Sequence, residues 1–204
     1  MRLVAIDPSI TCTGWALFDV QSERLLGVGK IKPLPPTYTL ANRLDNLQSQ
    51  IKSFLSEIKL TKDDILICES PTSMKDPSAA FKVEQVRCIF EALAREQNIQ
   101  VPGRINPRTI QYEILGLRGR QLERAIVKEL AVGIVERTQK KNLDRIGFSC
   151  STENLKKHQD IVDAILIGSL AISRVKSALA SETPVDIYLR SLERIVTRTK
   201  FKVA

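Results

Sequence analysis

The sequence predicts an α/β protein: a mixed five-stranded sheet, an antiparallel meander continuing into βαβ units, flanked by helices. Three observations predict it. Residues 2–31 hold three short apolar runs separated by tight turns, the next apolar segment has helical spacing and leads into a short buried strand, and the same helix-then-strand order recurs before a mainly helical remainder. A chain of 204 residues, 43% hydrophobic, is long enough for one good core.

Extended segments are expected at 2–7, 14–20 and 25–31, with "QSER" as the hairpin connection between the second and third. From Leu40 the apolar residues fall at 40, 44, 47, 51, 54, 55 and 58, one face of a helix, with Thr39 in position to cap it. "DDILICES" reads as a buried strand. Asp76 and Pro77 open a further helix that carries Ala80, Val83, Val86, Phe90, Leu93 and Ala94 on one side. "IQVPGRINP" reads as a strand whose Pro and Gly suit an edge. Helices follow at about 107–115, 120–138 and 158–182, and the polar stretch 139–157 is expected to be a mobile loop.

Composition bounds the function. No apolar run reaches the length of a membrane span and no signal peptide opens the chain, so a soluble, cytoplasmic protein is expected. Cys12, Cys68, Cys88 and Cys150 lack the short spacings of zinc or redox motifs and read as reduced core or near-core thiols. Net charge is +8 and unevenly spread: residues 1–116 hold 14 Lys and Arg against 13 Asp and Glu, whereas 117–204 hold 17 against 10. That asymmetry suggests a polyanion approached from one side.

Four acids carry the chemistry. Asp7 closes the first apolar run of "LVAIDPSITCTGWALFDV", and Glu69 closes "DILICE". With those strands parallel neighbours, both carboxylates meet at one end of the sheet, where they persist together only if a cation or a shared proton offsets their repulsion. "HQDIVDAILIGSLAIS" adds Asp160 and Asp163, three residues apart at the start of a helix that must pack on the sheet. Each acid alone suits a cap or turn; the four jointly suit hard divalent ions such as Mg²⁺ or Mn²⁺, and two ions about 4 Å apart organise in-line attack of water on a phosphodiester.

"AIDPSITCTGWALF", "ICES", "INPRTIQYEILG" and "HQDIVDAILIGSLA", in that order, resemble the RuvC-type Holliday junction resolvases of the RNase H-like superfamily over roughly residues 1–173. The resemblance implies an RNase H-like nuclease domain, residues 1–175, with a basic extension, 176–204. It implies that Asp7, Glu69, Asp160 and Asp163 are the catalytic and metal-binding carboxylates, with Mg²⁺ as cofactor and Mn²⁺ able to substitute. It further implies a homodimer, cytoplasmic and nucleoid-associated in a bacterium, that nicks a four-way DNA junction symmetrically in recombination and repair. One ion would lie on Asp7 with Asp160 or Asp163 and another on Asp7 with Glu69.

The chain departs from that family at three places. Ser9 stands where a glycine usually follows Asp-Pro, Thr72 stands where an aromatic wedge is often found, and "LGLRGRQLER" offers Arg118, Arg120 and Arg124 in place of a lysine. These arginines are the candidate DNA contacts, since guanidinium binds phosphate bidentately. His158 is expected to be a solvated helix-start residue and Trp15 a core residue of the second strand. Arg190, Arg194 and Arg198 recur every fourth residue; phosphate contact and a solvated terminus both fit. Rival functions are a nuclease for another branched DNA or for RNA, and a catalytically silent DNA-binding module. A kinase-like or actin-like ATPase would need a duplicated domain and phosphate-binding glycine loops, neither of which is present.

Overall fold

Sheet order is β3-β2-β1-β4-β5 in the computed structural model, which describes residues 1–71, 76–117 and 122–198, with side chains to residue 192. β1 (Arg2–Asp7), β2 (Thr13–Asp19) and β3 (Arg24–Ile31) form the antiparallel meander; β4 (Ile65–Glu69) joins β1 in parallel, and β5 (Arg104–Ile105) joins β4 in parallel at the edge. The expected fold class, the parallel neighbourhood of β1 and β4 and the edge position of β5 are observed. A meander continued by two parallel strands makes the sheet mixed.

Strand alternation divides the core in two. Leu3, Ala5, Ala16, Phe18, Ile65, Ile67 and Ile105 face one layer, dominated by the later helix α6 (Gln159–Ala180). Val4, Ile6, Leu66 and Cys68 face the other layer, where α1 (Leu40–Ile58) and α2 (Pro77–Glu96) bring Leu47, Ile51, Leu55, Val86 and Phe90. Trp15 packs on this second side, its ring 4.9 Å from that of Phe54, as expected for a core residue.

The starts of α1 and α2 carry side-chain caps. The hydroxyl of Thr39 accepts from the Asn42 amide, and the Asp76 carboxylate accepts from the Ser78 amide ahead of Pro77. α3 (Pro107–Glu113) starts at Asn106 in the same way, and Leu189 from α7 (Val185–Arg198) is buried against the α6 layer.

Residues 139–157 are a correction. α4 (Arg124–Arg145) runs on through the first part of this stretch, and α5 (Thr152–Lys157) occupies its end. Leu143 is fully buried, the Arg145 guanidinium donates to the Leu25 carbonyl at 2.7 Å, and Ser151 caps α5 through the Asn154 amide. A few anchors are enough to hold a helix whose other faces are wet. Cys88 is also corrected: it is exposed on α2, while all four thiols are free.

Candidate functional site

Alternation fixes the first two acids. Leu3 and Ala5 face α6, so Asp7, two residues on, faces the same layer; Ile65 and Ile67 face α6, and Glu69 follows them. Because Leu3 pairs with Ile65 and Ala5 with Ile67, the two carboxylates come side by side at the C-terminal ends of parallel strands.

Delivery of the other pair depends on Gly14. It is paired with Asp7 across β1 and β2, and a Cβ placed on it would lie 1.9 Å from the Asp160 carbonyl oxygen. Only a residue without a side chain admits the first turn of α6 there, and that turn carries Asp160 and Asp163 to the strand tips. The turn before Gly14 is closed by the buried Thr13 hydroxyl, which donates to the Ser9 carbonyl at 2.9 Å and accepts from the Ser9 amide at 3.0 Å. Ser9 is not among the residues with positive φ, so no glycine is required at that position.

The acids repel one another. Burial pushes the Asp7 carboxyl well above the usual range, and Glu69, Asp163 and Asp160 push it further, against a smaller opposing pull from Arg87. Glu69 is raised to about 7 by burial and by Asp163, again opposed by Arg87. Asp163 is raised to about 6, chiefly by burial; the Gln159 amide, which donates to it at 3.1 Å, and the charges of Lys128 and Arg124 pull the other way. Asp160 behaves differently: burial is outweighed by the Lys30 ammonium, 2.9 Å away, and by the Cys12 thiol, so its carboxyl is held low. The Cys12 thiol is in turn pushed up to about 11 by burial and by Asp160.

Among the described residues, no three His, Cys, Asp or Glu side chains are already arranged as a metal-binding group. Asp160 is drawn to Lys30 and Asp163 to Gln159. The donor chemistry nevertheless fits a hard divalent ion: every candidate ligand is a carboxylate, and the mutual repulsion felt by Asp7 is what a cation relieves.

Arg118, Arg120 and Thr72 lie outside the described residues. Arg124 is exposed at the start of α4, and its charge reaches Asp163. Arg190 is exposed beside Asp186 at 3.6 Å on α7, the helix on which the four-residue arginine spacing depends. His158 is a correction: it is half-buried between α5 and α6, edge-on to Phe148 with ring centroids 5.5 Å apart, and its Nδ1 is buried with no hydrogen-bond partner among the described residues. Burial, with Lys30 and Lys32, lowers its pKa.

Sequence reasoning missed Lys30, Arg87, Lys128, Gln159 and Cys12. For Lys30 a signal existed, since extending the hairpin register pairs Gly14 with Lys30 and completes a cross-strand row of Asp7, Gly14 and Lys30.

No protein-family model matches the chain. Among curated proteins, the crossover junction endodeoxyribonuclease RuvC of Cereibacter sphaeroides is 27% identical over 117 residues, covering 57% of this chain and 67% of that protein. Among solved structures, Thermus thermophilus RuvC aligns with a TM-score of 0.63 at 17% identity over 87% of this chain and 97% of that one, and the same protein with a Holliday junction substrate aligns with 0.61 at 16% over 87% and 96%. The fowlpox virus Holliday junction resolvase aligns with 0.56 at 13% over 86% and 99%. No helix among the described residues is long and apolar enough to cross a membrane.

Proposed function

We propose that this chain, a RuvC-type protein of the RNase H-like superfamily, is a structure-selective DNA endonuclease that resolves four-way junctions by hydrolysing phosphodiester bonds in recombination and repair. The observation that carries this reading is the gathering of Asp7, Glu69, Asp160 and Asp163, from three separate elements, at one end of the sheet where each strand or helix terminates toward the others.

In this reading the four carboxylates hold Mg²⁺, with Mn²⁺ able to substitute; once bound, such ions acidify water and stabilise charge on the leaving oxygen. The chain's own residues do the rest. Gly14 admits α6 so that its acids meet those of the strands. Lys30 balances the charge of Asp160, and Lys128 and Arg124 set positive charge beside Asp163, on the side from which a phosphate would approach. Arg118 and Arg120 are the further DNA-contact candidates that the sequence offers. Residues 1–175 act as the nuclease unit and 176–204 as a basic extension that contacts the backbone through Arg190 and its neighbours. Two copies pair to cut the junction symmetrically, in the cytoplasm and at the nucleoid if the source is bacterial.

The test is cleavage of a mobile four-way junction beside flaps, linear duplexes and RNA hybrids, with and without Mg²⁺, for the wild type and Asp7→Asn. Metal-dependent nicking of the junction in preference to the others, abolished by Asp7→Asn while binding persists, is expected. Preferential cleavage of a flap or hybrid would move the substrate, and near wild-type nicking by Asp7→Asn would misplace the site.

A further inference from the structure

Behind the acids lies a second polar cluster that the proposed chemistry does not use. Arg87, on the inner face of α2, is 1% exposed. Its Nε donates to the backbone carbonyl of Glu69 at 2.6 Å, and its guanidinium pairs with Glu84. Glu84 also receives Arg104 at 3.0 Å, and Arg104 grips the buried Glu91 through two bonds of 2.6 and 3.0 Å. Arg87, Glu84, Arg104 and Glu91 thus form a continuous, charge-balanced chain linking α2 to β5 and to the last residue of β4.

The place where this chain ends is specific. The ladder between β1 and β4 stops at Ile6 and Cys68, one residue before Glu69, and the ladder to β5 ends with Glu69 itself. On the β1 side the ladder no longer fixes the backbone there, while on the β5 side the Ser70 amide still donates to the Ile105 carbonyl at 2.8 Å; the Arg87 side chain is the partner of the Glu69 carbonyl. A buried ion cluster is seldom retained for stability alone, because apolar replacements of like volume are often neutral or better. Its position argues for another use.

We propose that Arg87 is a positioning residue for Glu69: its buried guanidinium fixes the β4 tip and places permanent positive charge behind the acids, so that Glu69 is presented to the divalent ion. This rests on the reading of Glu69 as a metal ligand. The electrostatics agree, since Arg87 is the cation that opposes the upward shift of both Asp7 and Glu69. Groups that orient metal ligands from outside the coordination sphere change metal affinity by roughly 10- to 100-fold when removed.

The experiment is a Mn²⁺ titration of the metal-free protein, followed by calorimetry or by the loss of free-ion paramagnetic resonance, on wild type, Arg87→Met, Arg87→Lys and Glu69→Gln, with metal-free junction binding measured beside it. Arg87→Met should weaken Mn²⁺ binding by about 10- to 100-fold, Arg87→Lys by less because the charge remains, and junction binding should not change. If Arg87→Met does not fold, Arg87→Lys decides: affinity below wild type supports the assignment and wild-type affinity overturns it. Wild-type affinity in folded Arg87→Met alongside a loss in Glu69→Gln would overturn the role of Arg87 alone. Wild-type affinity in Glu69→Gln would instead remove the reading of Glu69, and with it the premise.

Discussion

Replacing Gly14 by alanine should separate catalysis from folding. The new methyl would lie 1.9 Å from the Asp160 carbonyl oxygen and 2.3 Å from its carbonyl carbon, whereas real Cβ atoms essentially never approach closer than 3.0 Å. The obstacle is helix backbone, which has no rotamer to escape into, so the start of α6 must retreat by about 1 Å from β2. Overpacking of this kind costs about 1–3 kcal/mol, which in a chain of this size lowers the melting temperature by roughly 2–4 °C per kcal/mol. The larger effect should be on rate. A displacement of about 1 Å at a catalytic group can cost on the order of 100-fold, and here it moves both Asp160 and Asp163 relative to Asp7. Gly168→Ala is the matched control. Its methyl would meet the buried Phe18 ring at 2.3 Å, so it strains the same helix against the same strand, farther along α6. Single-turnover cleavage of a four-way junction in Mg²⁺, with junction binding and melting measured in parallel, should show both variants destabilised and only Gly14→Ala slowed. Equal rates for Gly14→Ala and wild type, or equal slowing in both variants, would refute the claim that Gly14 sets the acid geometry.

Asp7→Asn should raise the melting temperature in the presence of a chelator, because it removes a buried carboxyl crowded by three others, while abolishing cleavage; an unchanged or lower melting point would contradict the electrostatic picture. Lys30→Met should tighten Mn²⁺ binding by roughly fivefold, about 1 kcal/mol, since the ammonium that competes for Asp160 is gone; titration of the metal-free protein checks this. Asp64 tests the pH dependence away from the site. Desolvation pushes its carboxyl up, but the amides of Arg2 and Thr61 and the Arg2 guanidinium at 2.8 Å outweigh it and hold the group below the ordinary 3.8. A depressed folded pKa contributes stability above the ordinary value, lost as pH falls through the folded one. Asp64→Asn should therefore cost about 1.5–3 kcal/mol at pH 7 and progressively less below pH ~4, as denaturant titrations across that range would show.

Much of the fold was legible because each early element obeys a single period. Strand alternation through 2–7 and 14–20, the face beginning at Leu40 and the Asp76-Pro77 start all reappear as β1, β2, α1 and α2. The error at 139–157 has a physical origin. In that stretch only Leu143 and a few neighbours touch the core, so apolar periodicity, which reports burial, carried no signal although backbone hydrogen bonds and good helix formers were sufficient. His158 was misjudged for a related reason: it packs edge-on to Phe148, ten residues earlier and on the other side of α5, where local spacing says nothing.

The acids of the candidate site were visible and, Arg124 apart, its cations were not, and the difference lies in side-chain reach. Asp and Glu are short, so to meet they must sit where the backbone itself converges, at strand tips and in the first turn of a helix; such positions leave a mark in the sequence. Lys and Arg carry long stems that bring a charge in from mid-element. Lys30 reaches Asp160 from β3, Lys128 comes from one turn into α4, and Arg87 projects from the buried side of α2 between Val86 and Phe90, where a charged residue would ordinarily be assigned to solvent. These three cations come from three different elements and meet the acids only through tertiary structure. Their placement should therefore be the part of the site most sensitive to substitution of length: Arg87→Lys and Lys30→Arg, which preserve charge, should each alter Mn²⁺ affinity measurably. If charge-preserving changes at both positions left that affinity at the wild-type value, the cations would matter only as diffuse field, and the geometric role assigned to them here would be wrong.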